Sequence, residues 1–207
     1  MPAKIASVHH SIEDWDFDYG DEHRSLAVDQ FISVPSSLKF SGAPRAWGTH
    51  VLCRIPGTLV LPQGEVRTWS RRYYGSHGIA VFRHQTALGE FSWQNLYYVS
   101  VHPAWAVFTR VLDGVPSNRG STDVYFANDE WIHYRTFWYN GKTPGGVDAL
   151  CVDIYVEIDG EWVKQGSTMY DTGNYFKDSE TNRCGLRIAL GGGQSAWYDD
   201  TEIWGPV

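Results

Sequence analysis

Glu157, Asp159 and Glu161 stand at every second position of the stretch VEIDGEW, residues 156–162. On one extended strand three such carboxylates would share a face, and two of them could supply the pair of carboxyl groups that hydrolysis of a glycosidic bond uses as acid and as nucleophile or base. A second set is cationic and aromatic. Arg67, Trp69 and Arg71 alternate in GEVRTWSRRYY, Arg83 and Gln85 in AVFRHQ, and His133, Arg135 and Phe137 in WIHYRTFWY, with Arg110 closing AWAVFTR. On one sheet face these residues would offer guanidinium forks to carboxylates or sugar hydroxyls. The alternative is that the arginines pair with the acidic excess or cover neighbouring Trp rings.

The elements around the carboxylates decide between strand and turn. Leu150, Val152, Ile154, Val156 and Ile158 alternate with Cys151, Asp153, Tyr155 and Glu157, and Asp159-Gly160 follows. Asp-Gly between two alternating runs is a strong hairpin signal, because a type I′ turn needs positive φ at both central residues. Glu161-Trp162-Val163-Lys164 is then the return strand. Glu157 and Glu161 flank a turn instead of lining one strand, and the stretch is architecture.

Period-two alternation recurs at 36–42, 49–56, 64–74, 78–85, 95–101, 104–114, 130–141, 149–160, 161–166, 183–191 and 196–205, each run ending near Gly, Pro, Asn or Asp. No dozen residues keep a 3.6 period. The pattern predicts an all-β sandwich with little helix over residues 25–207, with 1–24 as an arm or edge strand. A length of 207 residues fits one domain, and GGVDA (145–149) and GGGQS (191–195) are short enough to be hairpin loops.

The chain carries a formal charge of -7, which argues against a nucleic-acid partner, since phosphate tracking needs a basic surface. No stretch of eighteen apolar residues occurs, so no membrane insertion is expected. MPAKIASVHHSIEDW lacks the apolar core of an export signal. Cys53, Cys151 and Cys184 show no metal-like spacing and are expected as buried thiols, a Cys151–Cys184 bridge being the rival. Ten Trp, twelve Tyr and nine Phe together exceed what packing needs; most of the Trp are expected in the core, and Trp47, Trp69, Trp93, Trp105 and Trp138 are the candidate platforms for sugar rings.

Four pieces, WIHYRTFWYNG (131–141), LCVDIYVEIDGEWV (150–163), CGLRIALGGG (184–193) and WYDDTEIWG (197–205), resemble strands of the concanavalin A-like superfamily of lectins and glucanases, including its laminin-G-like jelly rolls. The laminarinase-like hydrolases of that group carry a carboxylate trio, but on a strand that continues where this chain has Gly160 and turns back. Arg67-Thr68-Trp69-Ser70-Arg71 and Tyr175-Phe176-Lys177 are similar in part to two strands of alginate-lyase-like jelly rolls. That likeness would cast Arg71 as carboxylate neutraliser, His84 as base and Tyr175 as acid, although Trp69 stands where those enzymes have Glu and no Q-x-H lies between the two motifs.

The superfamily resemblance further implies neighbouring terminal strands that hold a structural Ca2+, for which Asp16, Asp199 and Asp200 supply carboxylates; Asp14 and Asp18 lie beside the first of them. The reading that follows is a single jelly-roll β-sandwich of two antiparallel sheets that serves as a non-catalytic module for glycan binding or assembly. Its ligand-binding candidates are Trp69, Arg71, Arg83, Gln85, Arg110, Arg135 and Trp138. Its partners are a polysaccharide or glycan surface and a homo-oligomer or virion neighbour, at a virion or cell surface. A lyase or hydrolase of an acidic polysaccharide is the alternative.

Overall fold

The computed structural model describes residues 3–8, 16–19, 24–33, 37–41, 49–54, 61–73, 77–85, 94–125, 127–178, 182–190 and 194–205. All regular structure among them is strand: β1 Ala3–Val8, β2 Asp16–Tyr19, β3 Arg24–Ala27, β4 Ser37–Ser41, β5 Thr49–Arg54, β6 Gly64–Tyr73, β7 His77–Gln85, β8 Leu96–His102, β9 Trp105–Leu112, β10 Val115–Asp123, β11 Ile132–Lys142, β12 Asp148–Ile158, β13 Glu161–Asp171, β14 Asn182–Leu190 and β15 Ser195–Gly205. No helix among the described residues is long and apolar enough to cross a membrane.

The strands form two antiparallel sheets. One runs β13-β12-β11-β6-β15-β4-β3, with β1 also paired to β15; the other runs β10-β9-β8-β7-β14-β5-β2. The fold is thus an all-β, jelly-roll-like sandwich. Alternation sets what each sheet buries: Ile132, Tyr134 and Trp138 of β11, and Leu150, Val152, Ile154 and Val156 of β12, are no more than 5% exposed and face Phe82, Tyr97 and Phe108 of the opposite sheet. Phe82 stacks on Trp138 with centroids 4.8 Å apart, and Tyr97 on Phe108 at 5.5 Å. Large rings buried this way supply much of the apolar stabilisation, at about 1.5–3 kcal/mol for a side chain of Phe size.

Asp159-Gly160 turns β12 into β13 with φ of 52° and 83°, the type I′ geometry expected. Asp113-Gly114 does the same between β9 and β10, with φ of 50° and 79°. β10 has no sequence alternation, since its VPSNRGSTD is an exposed edge, and only that Asp-Gly pair announces it. Within the N-terminal segment, β1 lies beside β15 and β2 pairs with β5 of the other sheet. Cys151 and Cys184 are buried free thiols in different sheets; burial pushes Cys184 up to about 12. The Cys53 side chain lies outside the described residues.

Candidate functional site

The sheet that contains β6, β11, β12 and β13 turns its second set of side chains away from the core, and register sorts them into transverse rows. Trp69 of β6 is paired with His133 of β11, and Glu157 of β12 with Trp162 of β13. One step along, Glu202, Arg67, Arg135, Tyr155 and Lys164 align across β15, β6, β11, β12 and β13. Next come Trp204, Glu65, Phe137 and Asp153. The residues of these rows therefore come from strands far apart in sequence, each placed by period two.

In the first row His133 lies flat on Trp69, centroids 4.6 Å apart and planes 13° apart, and is tilted against Trp162 at 4.7 Å. Its Nδ1 is 2.5 Å from Glu157 Oε2. Burial, partly offset by Glu157 and then Glu202, holds the imidazole below its ordinary range. It is therefore neutral at pH 7 with Nδ1–H donating to Glu157, which leaves the Nε2 lone pair as an acceptor. A groove of about 380 Å3 opens here, with Trp69, His133 and Glu157 along it and Tyr125, Trp131 and Ile158 at its rim.

The second and third rows are a charge lattice under aromatic cover. Glu65, 1% exposed, accepts from Arg67 Nε at 2.7 Å and from Arg67 Nη2, and from Arg135 Nε at 2.5 Å. Arg67 lies 3.8 Å over the Trp204 ring and Arg135 4.9 Å over Tyr155. Burial pushes Glu202 up, but hydrogen bonds from Trp204 and Lys4 and the charges of Lys4 and Arg67 more than offset it, leaving the carboxyl below its ordinary range. Lys164 pairs with Asp153 at 2.7 Å. The face is charge-balanced and studded with rings, although the chain as a whole is acidic.

The other candidates fall in different places. Arg71 is on this outer face, at a further row, held by Asp129 at 2.8 Å and by Gln30, with Trp197 beneath it. His84 is fully buried on β7 of the opposite sheet. Tyr175 is in the loop after β13, its ring under the Arg110 guanidinium at 4.5 Å. The fold thus distributes Arg71, His84 and Tyr175 over the two sheets and a loop. Trp138, expected as a platform, points inward instead: it is fully buried, stacked on Phe82, with Nε1 donating to Leu61 O at 3.3 Å, because its parity along β11 is that of Tyr134 and not that of His133. Trp105 is exposed at the β8–β9 turn and stacks on His102. Trp47 and Trp93 lie outside the described residues.

Asp199 is buried and its Oδ2 accepts from Ile32 N at 2.8 Å and Ser33 N at 2.9 Å; Asp200 Oδ1 accepts from Ser33 Oγ at 2.8 Å. These carboxylates anchor the segment before β4. Asp16 belongs to β2 in the opposite sheet, and among the described residues no three His, Cys, Asp or Glu side chains are grouped to hold a metal ion.

At the far end of β11 a second polar cluster holds the loop 171–178. Asp171 accepts from Tyr97 Oη at 2.6 Å and from Arg110 Nη1 at 3.1 Å, and Tyr175 N donates to Tyr97 Oη at 3.1 Å. Arg83, fully buried, donates to Pro62 O, Asn174 Oδ1, Tyr175 O and Asn140 Oδ1 at 2.7–3.0 Å, and Gln85 Nε2 donates to Arg83 O. Burial lowers the Arg83 guanidinium to about 10, so it stays protonated at neutral pH. His133 and Asn140 are seven residues apart on one strand, or roughly 24 Å.

Alternation puts Trp69 and Arg135 on this outer face; Glu65, Glu157, Trp162 and Trp204, which join them there, are not among the binding candidates that the sequence singles out. The Asp159-Gly160 turn carries the signal for two of them, since a two-residue hairpin sets Glu157 opposite Trp162.

No family model and no curated protein matches the sequence. By fold the chain is similar to a marine PL-14 alginate lyase from Aplysia kurodai, with a TM-score of 0.64 and 11% identity over 99% of this chain and 100% of that one. It is similar also to the exoplasmic/lumenal domain of VIP36 in its Ca2+/Man3GlcNAc-bound form, TM-score 0.59, 12% identity, 97% and 88% covered. A Bacillus subtilis protein of unknown function with a galectin-like fold gives a TM-score of 0.59 at 13% identity, 98% and 97% covered.

Proposed function

We propose that this chain is a glycan-binding sandwich that holds sugar on the outer face of the β6–β11–β12–β13 sheet without cleaving it. The observation that carries the reading is the row Trp69, His133, Glu157, Trp162: aromatic rings for sugar C–H surfaces, beside an oriented acceptor pair for sugar hydroxyls, the first three residues lying along a groove of ligand-binding size. Two of the similar folds support the sugar-binding half of this reading, one an alginate lyase and the other solved with Man3GlcNAc. Non-catalysis is favoured because Arg71, His84 and Tyr175 do not converge and because the carboxylates of the Glu65 and Glu202 rows are engaged by Arg or Lys. Display of this face on a virion or cell surface, alone or in a homo-oligomer, belongs to the same proposal.

The test is a glycan array followed by calorimetry on neutral and acidic hits, with Trp69→Ala as control. Binding that Trp69→Ala leaves intact would sink the proposed face. A second reading, cleavage of polysaccharide, is favoured by one observation: His133 has a carboxylate on Nδ1 and its other nitrogen beside a groove. Release of reducing ends or unsaturated uronate by the folded protein, lost in His133→Gln, would replace the first reading with the second.

A further inference from the structure

The Arg83 cluster carries two costs that packing does not explain. Arg83 is a non-glycine residue at φ 49°, in the left-handed region, and its buried guanidinium has no carboxylate at ion-pair distance among the described residues. Strain of this kind costs about 1–3 kcal/mol, and a buried charge is ordinarily paired. All four of its acceptors are neutral oxygens, two of them the side-chain carbonyls of Asn140 and Asn174.

A guanidinium can only donate, so it forces each amide to present Oδ1 inward. The Nδ2 amino groups of Asn140 and Asn174 are then the ends left over, and both residues line one groove of about 340 Å3 between the end of β11 and the loop 171–178. Lys142 and Asp148 pair at one rim of it at 3.3 Å, and Lys177 and Asp178 lie 3.8 Å apart at the other. Lys142, Lys177 and Arg83 stand against Asp148 and Asp178 around the groove, and Asp171 of the same loop is taken up by Arg110 at 3.1 Å, so one positive charge is in surplus. Donors with a fixed direction and a surplus positive charge at close quarters are what an oxyanion needs.

We propose that Asn140 and Asn174, oriented by Arg83, form a second binding site, at the opposite end of the sheet from the aromatic groove, for an oxyanion group: a carboxylate or a sulfate. Arg83 is a positioning residue here and does not itself reach the ligand. The proposal does not rest on the glycan reading of the outer face.

The test follows the side-chain amide NMR signals of Asn140 and Asn174, assigned by their loss in Asn140→Asp and Asn174→Asp, as the full chain is titrated with sodium glucuronate, sodium sulfate and glucose. Saturable shifts with glucuronate, sulfate or both, and none with glucose, are expected; which anion saturates first tells carboxylate from sulfate. The double variant Asn140→Asp/Asn174→Asp should bind the anion at least about tenfold more weakly, as for loss of charge-assisted bonds. Its Tm should hold or rise, because each new carboxylate pairs with Arg83. If the asparagines serve only to satisfy Arg83, the aspartates serve as well and anion affinity measured by calorimetry is unchanged, which overturns the site. Equal shifts with glucose, or shifts that never saturate with any salt, also overturn it. Trp69→Ala should leave this titration as it is in the parent protein.

Discussion

The Trp69 and His133 rings stack face to face across the β6–β11 pair, 4.6 Å between centroids. Neither ring could take this position alone, because each is held by the strand beside it and, for His133, by Glu157 on the next strand. The result is a rigid aromatic stack with a polar edge at His133 and Glu157. Such a stack loses little side-chain entropy when a sugar ring settles on it.

Trp69→Ala should therefore weaken glycan binding at least about tenfold, the loss expected for a central aromatic anchor. Trp69 packs on the outside of the sheet, so the fold should survive with a Tm lowered by only a few degrees, about 1–2 kcal/mol for a half-exposed ring. Calorimetry and thermal melts on the same samples separate the two effects. A collapse of Tm with the loss of binding would mean that Trp69 is structural.

The His133–Glu157 pair makes stability depend on pH. Burial lowers the folded imidazole below its ordinary value of about 6.5, so between the two values the unfolded chain binds more protons than the folded one. Stability should rise with pH through that window and level off above it; His133→Gln should remove the slope. Glu157 opposes the lowering, so Glu157→Gln should drive His133 lower still and extend the slope to more acidic pH. The His133 ring-proton shift against pH checks this, and a higher titration point in Glu157→Gln would contradict it.

Glu65 is shared by two guanidiniums, and its removal is predicted to cost more than removal of the whole cluster. Glu65→Leu leaves Arg67 and Arg135 facing each other half-buried with no carboxylate between them, a loss of about 3–5 kcal/mol. Replacing Glu65, Arg67 and Arg135 together by apolar residues of similar size should recover most of it. Urea unfolding of the single and triple variants decides; a triple variant less stable than Glu65→Leu would show that the arginines contribute through the Trp204 and Tyr155 rings.

Much of this molecule is legible from period two. Alternation sorts the side chains of β6, β11 and β12 into two faces, and Asp159-Gly160 announces the hairpin. Pairing order does not, because which strands become neighbours depends on contacts more than a hundred residues apart, such as Thr68 Oγ1 to Thr201 Oγ1 at 2.8 Å. That is why Trp138 looks in sequence like a platform: its neighbours Phe137 and Tyr139 are equally aromatic, and only the packing against Phe82 says which parity is inside. The Arg83 cluster is hidden for another reason. Its partners Pro62, Asn140 and Asn174 sit at the ends of three separate elements, and no local pattern links them.

Two glycines on β13 and its turn separate backbone strain from packing. Gly160 has φ 83° with open space around the place a Cβ would occupy, so Gly160→Ala should cost only the left-handed conformation, about 1 kcal/mol. Gly166, at φ 51°, lies where β13 meets β10: a Cβ there would stand 1.9 Å from Thr122 Oγ1 and 3.1 Å from Asp123 O, beside the bond from Ser167 N to Thr122 Oγ1 at 2.8 Å. Gly166→Ala should add to the same backbone cost a forced separation of the two sheets along this edge, for a total above about 3 kcal/mol. Thr122→Ala in the same chain removes the nearest atom but leaves both the backbone angle and Asp123 O, so it should restore only part of the loss. Urea midpoints of the three variants test the ordering, and amide exchange at Ser167 tests its place: if Gly166→Ala proves no worse than Gly160→Ala, the two sheets are not closed against each other at this seam.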